Sequence, residues 1–122
     1  LDYLVPYGCK RFLAINPATP IGQIEEVLDY IDGVNLLMVN PGFAGQKLVP
    51  RTLRKAEKLQ KFLQEMHRED IILEVDGNIT KEHGATLRSC GASIFVAGTS
   101  SIFCTDVSHF GEKIREFRKA VE

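Results

Sequence analysis

Short apolar stretches alternate along this chain with longer segments in which apolar residues recur every three or four positions. The apolar stretches predict β-strands over residues 11–15, 34–39, 71–75 and 93–97. The third of them is β-branched and nearly all apolar, as expected for a strand covered on both faces. Four strand–helix units in succession predict an α/β fold with a parallel sheet and right-handed crossovers.

The segments between the strands predict amphipathic helices. After the first strand, Thr19 is the predicted N-cap and Pro20 the first helical residue. Further helices are predicted over about 50–66, from residue 80 or 81 to about 90, and from about residue 110. No linker or low-complexity segment interrupts this pattern, so residues 1–122 are predicted to be a single domain.

Composition narrows the classes of partner. The chain has 44% hydrophobic and 25% charged residues and a net charge of −1, which is ordinary globular usage and gives no argument for nucleic acid. Basic residues cluster between Arg51 and Lys61, but Glu57 interrupts them at helical spacing, so we interpret them as a solvated helix face rather than an RNA-binding patch. The longest apolar run is too short to cross a membrane. A membrane is therefore not expected among the partners of this chain.

The number and spacing of the cysteines indicate the redox state of the cellular compartment. Cys9, Cys90 and Cys104 are odd in number, far apart and not in a CxxC pair. This usage is typical of a reducing environment and predicts a cytoplasmic location.

Glycine-containing segments follow three of the predicted strands, at residues 39–46, 74–78 and 96–101. Parallel strands place such loops side by side at one end of the sheet, where ligands bind. Two of the loops can offer backbone N–H groups to a phosphate, and the middle one carries a carboxylate. We therefore predict a sugar-phosphate site with an acid/base group.

Asp76 is the candidate acid/base. An Asp-Gly pair by itself is equally well interpreted as an Asx-turn. Glu74 favours the acid/base interpretation over the Asx-turn. It lies on the same face of the strand as Asp76, two residues away, and a turn alone does not require two carboxylates in a buried strand. Asp76 is therefore predicted to point into the mouth of the site.

The other loops supply the candidate binding residues. Gly77 with Asn78, and Gly98 with Thr99, are predicted to bind the phosphate. Two glycines flank an aromatic residue in the loop Gly42, Phe43, Ala44 and Gly45. This loop is predicted either to close over a ligand or to be a surface loop whose Phe43 plugs a helix–strand junction.

Two parallel α/β architectures fit the pattern. A doubly wound nucleotide fold would carry its glycine-rich loop after the first strand, but the sequence there is Asn-Pro-Ala-Thr-Pro at 16–20, without glycine. A (β/α)₈ barrel builds its phosphate site after the last two strands, which matches the late glycine loops here. The barrel is the favoured interpretation.

Four motifs together resemble the ribulose-phosphate 3-epimerase family. They are Asn-Pro-Ala-Thr-Pro at 16–20, Val-Asn-Pro-Gly-Phe-Ala-Gly-Gln at 39–46, Glu-Val-Asp-Gly at 74–77 and Phe-Val-Ala-Gly-Thr at 95–99. They occur in the family's order and span essentially the whole chain. The related allulose-6-phosphate 3-epimerases share the pattern and are an alternative.

The resemblance implies a TIM barrel of which this chain is the C-terminal half, strands five to eight with their helices. It implies an isomerase of the pentose phosphate pathway that inverts carbon 3 of a ketose phosphate by proton transfer between two aspartates. By resemblance, Asp76 is one of them and a ligand of a divalent metal (Zn, Fe, Mn or Co), and residues 42–45, 77, 78, 98 and 99 bind the substrate.

Three departures from the family pattern accompany the resemblance. Asn78 stands where a second glycine is usual. The family's strand six commonly places a residue between its site-facing Met and the Val that follows, whereas Met38 directly precedes Val39, so either a residue is missing or Met38 points to the opposite face. Finally, the N-terminal half, with the opposing aspartate and the remaining metal ligands, is absent.

These departures predict how the chain behaves. The isolated chain is expected to be inactive and to form homo-oligomers, since the two edge strands and the inner face of the sheet are uncovered. The alternative of another class is a non-catalytic phosphate-binding half-barrel that serves in assembly.

Overall fold

Four strands alternate with helical segments along the chain, as the hydrophobic pattern predicts. The computed structural model describes residues 1–104 and 108–122. The elements are a 3₁₀ segment Asp2–Tyr7, β1 Phe12–Ile15, a 3₁₀ segment Ile21–Tyr30, β2 Gly33–Leu37, α1 Arg51–Glu65, β3 Ile72–Asp76, α2 Lys81–Ser89, β4 Ile94–Val96 and α3 Phe110–Val121.

All four strands form one parallel sheet in the order β1-β2-β3-β4. The order is sequential, so the described strands contain no reversal of the kind that creates the binding crevice of a doubly wound sheet. The register places Asp76 level with Leu37 on one side and Val96 on the other. One step below, Glu74 lies level with Asn35.

The helical segments cover one face of the sheet. Alternate strand residues such as Val34, Leu36, Leu73 and Val75 are buried there against apolar residues of the helices. Phe95 of β4 meets Phe117 of α3 edge to face, with ring centroids 6.2 Å apart. This layer is the hydrophobic core.

The other face of the sheet carries no helix in the described part of the chain. We call it the open face; it consists of Phe12, Ala14, Gly33, Asn35, Leu37, Ile72, Glu74, Asp76, Ile94 and Val96. The expectation that the third strand is covered on both faces is therefore wrong: in β3 only Leu73 and Val75 are buried. Leu73 and Val75 belong to the covered face, and Ile72, Glu74 and Asp76 alternate with them on the open face.

Met38 lies on the covered face. It is fully buried in the same core as Val34 and Leu36, while Leu37 takes the position beside Asp76. Of the two sequence-based alternatives for Met38, the structure supports the one in which it points away from the site. The cause is the two-residue repeat of a strand, which puts Leu37 and Met38 on opposite faces.

The segment after β1 differs from its prediction. It is a 3₁₀ helix, and Pro20 is its N-cap with extended backbone (φ −61°, ψ 139°) rather than its first helical residue. Thr19 does not cap it, because the Thr19 hydroxyl accepts the backbone N–H of Asn16 at 3.2 Å, within a local turn. The apolar side chains of Ile24 and Leu28 are nevertheless buried as the spacing predicts.

A side-chain cap that was not predicted from the sequence begins α2. Thr80 precedes α2, and its hydroxyl accepts the backbone N–H of His83 at 3.2 Å. Gly91 follows the end of α2 with φ +87°, as expected for a glycine that terminates a helix. Among the described helices, none is long and apolar enough to cross a membrane.

Candidate functional site

A cavity of about 340 Å³ opens at the carboxyl ends of β3 and β4, beside the loop that follows β2. It is lined by Val39, Phe43, Ala44, Gly45, Gln46, Asp76, Gly77, Asn78, Val96, Gly98, Thr99 and Ser100. All three glycine loops predicted from the sequence therefore meet at one site, as the parallel topology requires.

Among the described residues that line this cavity, Asp76 has the only ionisable side chain. As the last residue of β3 it is half-buried on the open face, between the apolar residues Leu37 and Val96 of the neighbouring strands. Its backbone carbonyl accepts the N–H of Met38 at 2.6 Å, which fixes the strand end. The carboxylate is thus positioned to exchange a proton with a molecule in the cavity.

Gly77 is required by close packing at this strand end. Its φ is +112°, and a Cβ built there would lie 2.7 Å from Val39 Cγ2 and 3.0 Å from the backbone nitrogen of Val39. Only glycine combines that backbone angle with that space. The two loops that follow β2 and β3 therefore touch backbone to backbone.

Asn78 is held by its neighbours on both sides. Its side-chain oxygen accepts the backbone N–H of Leu48 at 3.3 Å, and its backbone carbonyl accepts Nδ1 of His83 at 3.0 Å. Its φ of +53° is left-handed, a conformation that asparagine tolerates better than most residues. These contacts hold Asn78 in place at the edge of the cavity that it lines.

The loop after β4 is a compact turn. The carbonyl of Gly98 accepts the backbone N–H groups of Ser101, Ile102 and Phe103 at 3.1, 2.9 and 3.1 Å. The hydroxyl of Ser100 donates to the carbonyl of Ile79 at 3.3 Å, which ties this turn to the loop after β3.

Backbone donors remain free on these two loops. Within the described residues, the N–H groups of Asn78, Gly98 and Thr99 donate to no protein acceptor. All three residues line the same cavity, and unpaired backbone N–H groups around one concavity are typical of sites that bind phosphate oxygens. Among the described residues, the site therefore combines unpaired backbone donors with one carboxylate.

The loop after β2 differs in part from its prediction. Gln46 closes it by donating Nε2 to the carbonyls of Asn40 and Phe43, at 2.6 and 3.0 Å. Phe43 is 74% exposed and lines the cavity, so the alternative in which it plugs a helix–strand junction is wrong. Gly42, with φ +149°, does not line the cavity, unlike Ala44 and Gly45.

Several lining residues were not predicted individually as site residues. Val39, Gln46, Val96 and Ser100 all line the cavity. A signal existed for Val96, which stands two residues before Gly98 on the same face as Ile94. The others depend on how the loops fold back, which has no period in the sequence.

The described residues do not form a metal centre by themselves. They contain no group of three or more His, Cys, Asp or Glu side chains that could hold a metal ion. Asp76 can supply one oxygen ligand, and a complete coordination shell needs residues beyond those in the cavity. One step deeper on the open face, the side-chain oxygen of Asn35 is buried without a hydrogen-bond partner.

Fold and site together define an α/β protein whose parallel sheet carries, at its carboxyl end, a cavity lined by a carboxylate and by residues with unpaired backbone N–H groups. Residues 4–103 match the model of the ribulose-phosphate 3 epimerase family. The chain belongs to this family, whose members are isomerases that act on carbohydrate phosphates.

Three curated relatives illustrate the similarity, and each is a ribulose-phosphate 3-epimerase. That of Serratia marcescens is 44% identical over 103 residues, which cover 84% of this chain and 48% of the relative. Those of Buchnera aphidicola (subsp. Baizongia pistaciae) and Escherichia coli K12 are each 40% identical, over 95% and 97% of this chain and 49% and 51% of the relatives. The chain thus spans about half the length of the curated relatives it matches.

Proposed function

We propose that this chain supplies the phosphate-binding side and one of two proton-transferring carboxylates of a ribulose-phosphate 3-epimerase. The observation that carries the proposal is that Asp76 shares one cavity with the free N–H groups of Asn78, Gly98 and Thr99. A ketose phosphate anchored there by its phosphate group would present its carbonyl end toward the carboxylate.

The architecture we propose is the C-terminal half of a TIM barrel, with β1 to β4 as strands five to eight. Support comes from the sequential parallel order, from the helices on one face only, and from the half-length match to the relatives. In a complete barrel the open face becomes part of the interior, which explains its apolar residues Ile94 and Val96.

Asp76 exchanges the proton at carbon 3 in the proposed reaction. In one direction its carboxylate takes the proton, and the electron pair of the broken C–H bond moves onto the neighbouring carbonyl to give an enediolate. Inversion requires a proton to return from the opposite side of the substrate, so a second acid must come from residues outside this chain. A divalent metal with Asp76 among its ligands is part of the proposal, and it would stabilise charge on the enediolate oxygens.

For the chain on its own, a second function is favoured because the described residues bring only one carboxylate to the cavity. We propose that the isolated chain binds phosphate without catalysing epimerisation. The uncovered sheet face and the two free strand edges are further expected to make it self-associate, through open-face residues such as Ile94 and Val96.

Reconstitution of a complete barrel tests the epimerase. The chain is co-expressed with the part of the Serratia marcescens relative that it does not match, and exchange of the carbon 3 proton of ribulose 5-phosphate in D₂O is followed by ¹H NMR. A hexulose 6-phosphate assayed in parallel tests the allulose-6-phosphate alternative. Asp76→Asn is expected to reduce exchange at least about 10³-fold, since an amide cannot accept the proton.

Asp2→Asn is the matched control, because Asp2 is exposed at the surface of an N-terminal 3₁₀ segment. It is expected to leave the exchange rate unchanged. Full exchange by the Asp76→Asn complex would overturn the epimerase proposal, as would rapid turnover by the isolated chain. Phosphate binding retained by the isolated chain, without exchange, is the result expected of the second function.

A further inference from the structure

A second concave site lies outside the cavity described above. It is a cleft of about 500 Å³ between the loop after β1 and the first half of α1, and we call it the basic cleft. Its lining residues are Pro17, Ala18, Thr19, Pro20, Ile21, Arg51, Arg54, Lys55 and Lys58. It shares no residue with the cavity at Asp76.

Three cations in the basic cleft lack partners. Arg51, Arg54 and Lys58 are exposed and lie on one side of α1, at spacings of three and four residues. Within the described residues, none of these three side chains forms a hydrogen bond or an ion pair. By contrast, Lys61 on the same helix is paired with Glu57 at 2.8 Å.

The position of these cations is unfavourable for the helix. Arg51 and Arg54 stand in the first turn of α1, which contains no acidic residue. The N-terminal end of a helix carries a partial positive charge, so basic side chains there repel it. Local helix stability therefore does not explain why basic residues stand here. An anion bound between the side chains would offset their repulsion by the helix end.

The opposite wall of the basic cleft is fastened in place. Nζ of Lys55 donates to the carbonyls of Asn16 at 2.7 Å and Pro17 at 3.2 Å, and also to that of Thr19. Partial burial lowers the pKa of Lys55. Pro17 and Pro20 restrict the backbone of this wall further. The loop after β1 thus forms a fixed wall opposite the three cations, and the two sides together make a cleft rather than a flat helix surface.

We propose that the basic cleft binds a small anion with two or more phosphate groups. Arg51 and Lys58 are separated by seven residues, or about 10 Å along the helix axis, so the three cations extend over a length along which a ligand with several phosphate groups can contact all of them. One arginine side chain can donate two parallel hydrogen bonds to the oxygens of a phosphate group. Pro17, Ala18 and Ile21 offer an apolar wall to a non-phosphate portion of the ligand. This proposal does not depend on the epimerase activity.

Tripolyphosphate binding to the whole chain tests this proposal by isothermal titration calorimetry at about 0.15 M salt. The test variant carries Arg51→Gln, Arg54→Gln and Lys58→Gln. The control carries Arg115→Gln, Arg118→Gln and Lys119→Gln on α3, which removes the same charge from another exposed helix face. Circular dichroism in the near ultraviolet verifies that each variant folds like the parent.

We expect saturable binding with a Kd below about 1 mM for the parent, a Kd at least about tenfold higher for the test variant, and a change below about twofold for the control. An equal loss in both variants would mean that net charge alone attracts the anion, and would overturn the proposal. So would the absence of saturable binding by the parent. Binding of a single-stranded oligonucleotide in place of tripolyphosphate would also overturn it, since the occupant would then be nucleic acid.

Discussion

The backbone N–H of Leu48 donates to the side-chain oxygen of Asn78 across 3.3 Å, and so joins the loop after β2 to the loop after β3. The two residues are 30 positions apart in the chain. This hydrogen bond, together with the packing of Gly77 on Val39, holds the two sides of the candidate site at a fixed separation. The site thus depends on contacts between loops as well as on the sheet beneath them.

Asn78 provides the first test. Asn78→Ala should lower the free energy of unfolding by about 2 kcal/mol, because it removes the hydrogen bond to Leu48 and places an alanine at φ +53°. Asn78→Gly should cost only about 1 kcal/mol, since glycine accepts that backbone angle. Urea titrations measure both. Asn40→Ala is the control and should change little, because Gln46 contacts only the backbone carbonyl of Asn40.

Gly77 provides a test of the backbone contact. Gly77→Ala should destabilise the chain by about 2 kcal/mol or more, because the new Cβ would lie 2.7 Å from Val39 Cγ2 at a strained φ of +112°. Gly98→Ala is the matched control, since a Cβ there meets nothing within 4 Å. Equal unfolding midpoints for the two alanine variants would contradict this account of Gly77.

The pairing of Arg11 with Asp32 predicts a dependence of stability on pH. The backbone N–H and Nε of Arg11 donate to Oδ2 of Asp32, at 2.7 and 3.1 Å, and hold the pKa of Asp32 below its ordinary value. A carboxyl group whose pKa is lowered by folding contributes stability above its unfolded pKa of about 4 and loses it as pH falls through the folded value.

Asp32→Asn should therefore be less stable than the parent near pH 6, and the difference should shrink between about pH 4 and pH 2. Urea midpoints at several pH values measure it. Asp2 is exposed and forms no ion pair within the described residues, so the urea midpoint of Asp2→Asn should change with pH in the same way as that of the parent. A constant gap between the Asp32→Asn variant and the parent would contradict the role given to Arg11.

The open face predicts how the chain associates. Ile94 and Val96 are 39% and 40% exposed on the edge strand β4, and a Val96→Lys substitution should weaken self-association of the isolated chain. Light scattering after size exclusion, over a range of concentrations, measures the effect. Leu4→Lys is the control, because Leu4 is also 39% exposed but lies in the N-terminal 3₁₀ segment. A parent chain that stays monomeric would contradict the prediction.

Much of the candidate site was predictable from residue types at strand ends. Asp76, Gly77, Asn78, Gly98 and Thr99 all line the predicted cavity, because strand periodicity and glycine positions are local signals. Gly42 does not line the cavity, and Val39, Gln46 and Val96 were not identified individually. Which residues of a loop reach a cavity depends on hydrogen bonds such as that from Gln46 to Phe43, which no spacing encodes.

The sequence by itself determined the alternation of strands and helices, the start of α2 at residue 80 or 81 and the family, because these depend on neighbouring residues and on motifs. Only the tertiary structure decided that Met38 is buried away from Asp76, that one sheet face is open, and that Arg51, Arg54 and Lys58 face the loop after β1. The physical reason is that register and packing join residues far apart in the chain, so their relation exists only once the sheet has formed.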